Sequence, residues 1–258
     1  MTSDAYAAEP PFLQLRNISM HFGAIRALDG IDLAFSEGEV LGLMGDNGAG
    51  KSTLVKIMAG NLVPTGGSML IEGQPVSFQG PADARAASIE AVYQDLALCD
   101  NLTAAENLFL GREEMFRVAG MPVAIDFRAM RIRAASLFRE LESDTRAEQL
   151  VHTMSGGQRQ AVAIARARLN QSRVVLMDEP TAAISVRQVE QVLTLIRRLR
   201  DQGVAILLVS HRMPDVFAVA NRIAVLRRGR KVADKPMPDT SPQEVTALIT
   251  GALESAEQ

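Results

Sequence analysis

The chain has 258 residues, 47% of them hydrophobic, with a mean hydropathy of +0.07, enough apolar material for one large packed domain or a core carrying an inserted lobe. A formal net charge of -3 and a pI near 5.7 speak against nucleic acid or an anionic membrane surface as the main partner. A single cysteine, Cys99, rules out an intrachain disulfide and fits a reducing compartment; with no histidine or second thiol near it in sequence, it reads as a small apolar filler.

The expected order begins with a flexible tail at 1–10. It has neither the basic start nor the apolar core of a secretory signal. No apolar run approaches the ~20 residues that span a bilayer, so the chain is expected to be soluble by itself and to meet any membrane through a partner. Alternation of Leu13, Leu15, Ile18 and Met20 marks a strand over Phe12 to Phe22, and Asp29 to Phe35 reads as another. Together they predict an antiparallel flap ahead of the main sheet. Phe22, followed by Gly23, fits either a flat surface for an adenine ring or a core aromatic at the sheet edge.

The next stretch, Val40 to Thr53, joins a buried apolar run to a glycine-rich turn and the start of a helix. Gly45, Gly50, Lys51 and Ser52 meet the pattern G-x-x-x-x-G-K-[ST] in a strand-then-helix context. The residues Gly45, Asp46, Asn47, Gly48, Ala49, Gly50, Lys51, Ser52 and Thr53 therefore read as a nucleotide phosphate cradle. Glycines let backbone N–H groups approach phosphate oxygens, and the helix points its positive dipole end at the same place. Lys51 adds a charge between the β and γ phosphates, and the Ser52 hydroxyl is placed to hold Mg2+.

A helix follows over Lys51 to Ala59, with a stop at Gly60, then a turn at Pro64, Gly66 and Gly67, a strand over Ser68 to Ile71, and a turn from Glu72 to Pro75. Ile89 to Tyr93 is strand-like and ends at Gln94, whose amide can reach a metal or a water. From about 96 to 170 glycine thins out. Helical spacing over Thr103 to Leu110, Phe127 to Leu141 and Gln158 to Leu169 predicts an inserted helical lobe, with loops at Gly120 to Pro122 and Glu142 to Glu148. Within it, Ser155, Gly156, Gly157 and Gln158 open a helix; they fit either a second anion-binding element or an ordinary serine N-cap with permissive glycines.

Arg173 to Met177 is an apolar strand ending in Asp178-Glu179-Pro180. Adjacent carboxylates at such a place are costly unless a cation or water uses them. Alternation assigns Asp178 to Mg2+ and turns Glu179 toward an attacking water. Val189, Val192, Leu193, Ile196 and Leu199 line one face of a covering helix. Val204 to Val209 is a further apolar strand ending at Ser210-His211, which puts His211 on the same rim as Gly45 and Asp178, although a purely structural histidine also fits. Strands over Ile223 to Leu226 and Lys231 to Ala233, turned at Arg228 to Arg230, and a helix over Pro242 to Ile249 complete a domain expected at 11–252, with a tail at 253–258. The basic groups at Arg197, Arg198 and Arg200 and at Arg227 to Lys231 read as solvated faces. His21 and His152 receive no role.

These motifs, in this order, resemble the ATP-binding subunit of an ABC transporter over nearly the whole chain. The Ser155-Gly156-Gly157-Gln158 signature shortly before the Asp178-Glu179 strand end narrows the choice among phosphate-cradle proteins. Gln94 matches the family's Q-loop, His211 its switch histidine, and Phe22 its adenine-stacking aromatic. The strings Val92 to Leu96, Asn107 to Glu113 and Ser210 to Phe217 look like the ATPases of ribose, xylose and fructose importers. Two positions depart from the pattern: Met154 stands where leucine usually opens the signature, and Ser185 where aspartate often stands.

The resemblance implies an α/β fold with a P-loop NTPase core, a mainly parallel sheet, an N-terminal antiparallel flap and the inserted helical lobe. It implies ATP and Mg2+ as cofactors, with Ser52, Gln94 and Asp178 toward the metal. Two copies are expected to close head to tail around two ATP molecules, each cradle completed by Ser155 to Gln158 of the other subunit. In that arrangement Glu179 polarises water, His211 senses the γ phosphate, Lys51 offsets developing charge, and Gln94 conveys closure to a transmembrane permease docked beside Leu96 to Glu106. An extracytoplasmic sugar-binding protein is implied indirectly, and the place of work is the cytoplasmic face of the membrane, peripherally. Many members of this group fuse two such domains, whereas the 47 residues after His211 leave no room for an added regulator, so a single unit is expected. The competing reading is a soluble ABC ATPase that remodels a ribosome or nucleic-acid complex.

Overall fold

Two antiparallel strands, β1 (Leu13–Phe22) and β2 (Ile25–Phe35), open the fold, and after the cradle the hairpin β4 (Gly66–Ile71) and β5 (Gln74–Val76) joins them in one sheet of order β2-β1-β4-β5. The computed structural model describes residues 11–182 and 184–253, so the tails expected at 1–10 and 253–258 fall outside the described residues, apart from Leu253. Strand β2 starts four residues earlier than its apolar pattern indicates, because Ile25 and Arg26 pair with Phe22 and His21 around a tight turn. The turn expected over Glu72 to Pro75 is shorter as well. Glu72 and Gly73 alone make it, with φ of 49° and 77°, the doubly positive pair a two-residue hairpin requires, while Gln74 and Pro75 already pair with Ile71 and Leu70.

The second sheet has the order β12-β11-β3-β10-β9-β6, formed by β3 (Val40–Gly45), β6 (Ile89–Val92), β9 (Val174–Asp178), β10 (Ala205–Val209), β11 (Arg222–Arg227) and β12 (Arg230–Pro236). Its neighbours run parallel except for the β11–β12 hairpin. Alternation divides its side chains between two cores. Leu41, Leu43, Leu176, Leu207 and Val209 face the antiparallel sheet and α1 (Lys51–Met58). Val40, Met44, Met177, Ile206 and Leu208 face a helical layer. Burial on both faces explains why these strands read as unbroken apolar runs.

The helical layer holds α3 (Ala104–Phe109), α4 (Phe127–Glu140), α5 (Gly156–Leu169) and α6 (Val186–Asp201). Thr103 and Glu106 form a reciprocal cap on α3, and the Asp126 carboxylate accepts from Ala129 N at the start of α4. Three elements are not legible as such in the sequence: α2 (Pro81–Ala86), α7 (Met213–Val219), and a hairpin of β7 (Met115–Val118) and β8 (Met121–Ile125). The loop expected at Gly120 to Pro122 is in fact the turn and second strand of that hairpin. Ala119 and Gly120 carry the positive φ angles of 50° and 84°, and Pro122 is tolerated because a two-stranded ribbon has only edges. The chain closes with α8 (Pro242–Thr250) on β11. The basic side chains expected on solvated faces are largely paired there: Arg197 with Glu190, Arg200 with Asp201, Arg230 with Asp29 and Lys231 with Asp234.

Candidate functional site

The C-terminal ends of β3, β9 and β10 lie side by side, Leu43 opposite Val209 and Val209 opposite Asp178, so the segments after them meet on one rim. A cleft of about 540 Å³ opens there, lined by Phe22, the cradle from Asn47 to Thr53, Gln94, Asp178, Glu179 and His211. This is the place where open parallel sheets hold ligands.

The cradle's shape depends on glycine at two positions. Gly45 has φ of 154°, and a Cβ there would sit 2.3 Å from the Leu226 carbonyl oxygen. Gly50 has φ of 106°, with a Cβ position 2.7 Å from the Ala27 oxygen. No L side chain fits either position without displacing backbone. Gly50 also leaves α1 without a side-chain cap, so its first N–H groups face the cleft free for an anion. Lys51 is buried, and its Nζ donates to the carbonyl oxygens of Gly45 at 2.8 Å and Asp46 at 2.9 Å. Burial lowers the Lys51 pKa, while Glu179, Asp178 and Asp46 act in the opposite sense. The ammonium is thus held inside the loop by carbonyls, without a carboxylate of its own.

Burial raises the Asp178 pKa and the neighbouring Glu179 adds to the rise; a hydrogen bond from Ser52 and the charge of Lys51 oppose it. A raised folded pKa means that the fold favours the protonated acid. Its contribution to stability is therefore present below the ordinary value of 3.8 and is lost as pH rises through the folded value. At neutral pH the buried carboxylate weakens the ligand-free fold. Asp178→Asn is accordingly expected to raise the Tm of the nucleotide-free chain at pH 7, with the gain shrinking as the pH falls through the folded pKa of Asp178; thermal unfolding across the acid range checks both.

Glu179 carries φ of 55°, an uncommon conformation for a non-glycine residue. Its N–H donates to the Val209 carbonyl at 2.9 Å, and its Oε2 lies 2.8 Å from Nδ1 of His211. The carboxylate is mostly covered, whereas the His211 side chain is 65% exposed. Phe22 is 46% exposed at the cleft's edge, outside the two cores, so the reading as a core aromatic does not hold. Gly45 and Asp46 do not line the cleft itself: Gly45 is buried beneath it, and Asp46 lines a neighbouring groove with Arg227, Arg228 and Arg230.

Ser155, Gly156, Gly157 and Gln158 are not brought to this cleft. Gln158 N donates to Ser155 Oγ at 3.3 Å and Ser155 N to Gln158 Oε1 at 3.0 Å, a reciprocal cap opening α5. The glycines give α5 close approach to its neighbours, since a Cβ on Gly156 would lie 2.7 Å from Ile184 Cγ2 and one on Gly157 3.0 Å from Gln191 Oε1. Met154 is buried in the helical core, as a leucine would be, and Ser185 N is held by Gln188 Oε1 at 2.9 Å at the start of α6.

Sequence reasoning missed Ile25, Arg26 and Ala27, which line the cleft beside the cradle; pairing of β2 up to the turn was the missing information. It also gave no role to Thr181 and Asp215, which are joined behind the rim by a 2.6 Å hydrogen bond.

Known proteins with this arrangement converge on one family. The family model described as ABC transporter matches residues 28–182. The fructose import ATP-binding protein FrcA of Rhizobium meliloti is 43% identical over 253 residues, covering 96% of each chain. The ribose import ATP-binding protein RbsA of Yersinia pestis bv. Antiqua (strain Antiqua) is 42% identical over 241 residues, 93% of this chain and 46% of that protein; the chain thus spans about half the length of such relatives. Among solved structures, the ATP-binding cassette MJ0796, a dimer in a post-hydrolysis state with ADP and Pi, superposes with a TM-score of 0.71 at 28% identity, covering 87% of this chain and 98% of that one. A family match that runs from β2 through the paired carboxylates, and relatives above 40% identity across almost all of it, make this chain a member of the ABC transporter family.

Proposed function

We propose that the chain is the ATP-hydrolysing subunit of a sugar importer, working as a head-to-tail dimer on the cytoplasmic face of a membrane beneath a transmembrane permease. The observation that carries the ATPase reading is the cleft itself, where a phosphate loop, a carboxylate pair and a histidine in contact with Glu179 share one rim. The likeness to a fructose import ATP-binding protein over 96% of both chains supports the sugar-import reading. Among the described residues no helix is long and apolar enough to cross a membrane, which leaves translocation to a partner. That partner's substrate is delivered, on this reading, by an extracytoplasmic sugar-binding protein.

Each side chain has a physical task. The free N–H groups of the cradle and α1 bind the phosphates, and Lys51 exchanges its two carbonyl partners for phosphate oxygens. Phe22 offers its face to the adenine. Ser52, Asp178 and Gln94 present a hydroxyl, a carboxylate and an amide, all oxygen donors. Such a set fits Mg2+, which prefers one or two carboxylates plus substrate phosphates to an all-protein cage. Mg2+ bound there would supply charge for the phosphate oxygens. Glu179 takes a proton from the attacking water, and His211, held by Glu179, donates toward the γ phosphate.

The signature residues complete the partner's cleft. On their own subunit they stand apart from the cleft, and the Ser155 hydroxyl, which accepts from Gln158 N, keeps its own proton to donate to an anion presented from outside at the α5 N-terminus. The test is co-purification of the full chain with its permease from detergent-solubilised membranes, followed by reconstitution. ATP turnover that rises when loaded sugar-binding protein is added is the expected result. Recovery of a ribosomal or nucleic-acid complex with no multi-spanning protein would refute the importer reading.

A further inference from the structure

Behind the cleft, the two segments that carry Glu179 and His211 are tied together by buried side chains that do not line it. Thr181 is 1% exposed and Asp215 4% exposed. The Thr181 hydroxyl donates to Asp215 Oδ2 at 2.6 Å, across 34 residues of sequence. The same Oδ2 lies 3.1 Å from Nε of Arg212, the residue after His211. One carboxylate oxygen therefore takes a bond from the segment of Glu179 and another from the segment of His211.

The surroundings show why such a tie is needed. Glu179 sits at φ of 55°, a conformation that persists only where neighbouring contacts enforce it. Upstream, its N–H is fixed by Val209. Downstream, a backbone turn from Ala182 N to Glu179 O at 3.1 Å closes around Thr181, and the Thr181–Asp215 bond anchors that turn to the body. Asp215 is itself fixed in the first turn of α7, where its N–H donates to the Arg212 carbonyl at 3.1 Å. Being buried, the pair is not exchanged freely with water, so losing one partner leaves the other unsatisfied.

We propose that Thr181 and Asp215 are positioning residues for hydrolysis: a buried clamp that fixes the Glu179 and His211 segments against each other, so that the general base and the histidine keep their 2.8 Å contact when ATP binds. The clamp acts on the turnover step and not on affinity, because neither residue lines the cleft. It rests on the ATPase reading given above. A displacement of about 1 Å at a reacting group can cost about 100-fold in rate, which sets the scale of the effect.

The test uses the full chain, with steady-state ATPase kinetics, binding of a fluorescent ATP analogue and thermal unfolding on the same preparations. Thr181→Val, which keeps the shape and removes the hydroxyl, is expected to lower kcat by about 10- to 100-fold while KM and analogue affinity change less than about two-fold. Thr181→Ser restores the hydroxyl and is expected to recover kcat to within about three-fold of the parent chain. Asp215→Asn retains an acceptor for Thr181 but loses the Arg212 ion pair, and its kcat should fall between the two; it also serves if Thr181→Val does not fold. In a Glu179→Gln background Thr181→Val should have almost no further effect, since residues acting as a unit are not additive. Unchanged kcat in Thr181→Val, equal loss in Thr181→Ser, or parallel loss of kcat and affinity would each overturn the clamp while leaving the ATPase reading intact. A parent chain that binds the analogue but never turns over ATP, with its permease present, would overturn both.

Discussion

Replacing Glu179 with glutamine should leave ATP bound and nearly unhydrolysed. General-base assistance contributes about 10^2 to 10^4 in rate, and the structure gives Glu179 the features the role needs: a largely covered carboxylate, a contact with His211, and a place on the cleft beside the phosphate loop. The amide keeps the shape and one acceptor oxygen but cannot take a proton. Affinity should be preserved, or should rise, because a negative charge facing the γ phosphate has been removed. ATPase kinetics and analogue binding on the same sample separate the two effects. Normal turnover by Glu179→Gln would remove Glu179 from the role of base. The contrast with Lys51 is informative: Lys51→Ala empties the cradle of its cation and should weaken binding and turnover together.

Legibility in the sequence followed the physics of each element. The parallel strands announced themselves because burial on both faces demands unbroken apolar runs, as in Val174 to Met177 and Ala205 to Val209. Their ends carried the chemistry, so Asp178, Glu179 and His211 could be set on one rim from their places at the C-terminal ends of apolar strands. The cradle was legible because Gly45 and Gly50 have no permitted replacement. What escaped notice depended on pairing or on contacts distant in sequence. The β7–β8 hairpin has no buried face, since all nine of its strand residues are exposed, and so it lacks the two-residue period that marks a half-buried strand. The first residues of β2 pair through backbone, which leaves no pattern in side chains. Thr181 and Asp215 lie 34 residues apart and resemble any threonine after a turn and any aspartate in a first helical turn.

The signature residues carry the second large expectation. In one subunit, Ser155 to Gln158 cap α5 and stand apart from the cleft lined by Lys51 and Glu179. If each working site combines the cradle of one subunit with the signature of the other, a Lys51→Ala subunit and a Gly156→Asp subunit are both inactive as pure dimers. The second substitution fails sterically as well as electrostatically, because the Cβ alone would meet Ile184 Cγ2 at 2.7 Å and the added carboxylate would face phosphate. A mixed dimer with two-fold geometry behaves differently. One of its sites joins the damaged cradle to the damaged signature, and the other joins an intact cradle to an intact signature. Mixing the two variants in equal amounts gives mixed dimers for about half of all pairs, each with one sound site in two. Turnover should then return to about a quarter of the parent rate for independent sites. The rate should also rise more than linearly with protein concentration below the dimer Kd, because a lone subunit contains no complete site. A mixture as inactive as its components would mean either that each cleft works with its own signature or that the two sites fire only together. Tethering one parent subunit to one doubly substituted subunit separates these cases, since the self-contained cleft would keep half of the parent activity and the coupled pair would keep none.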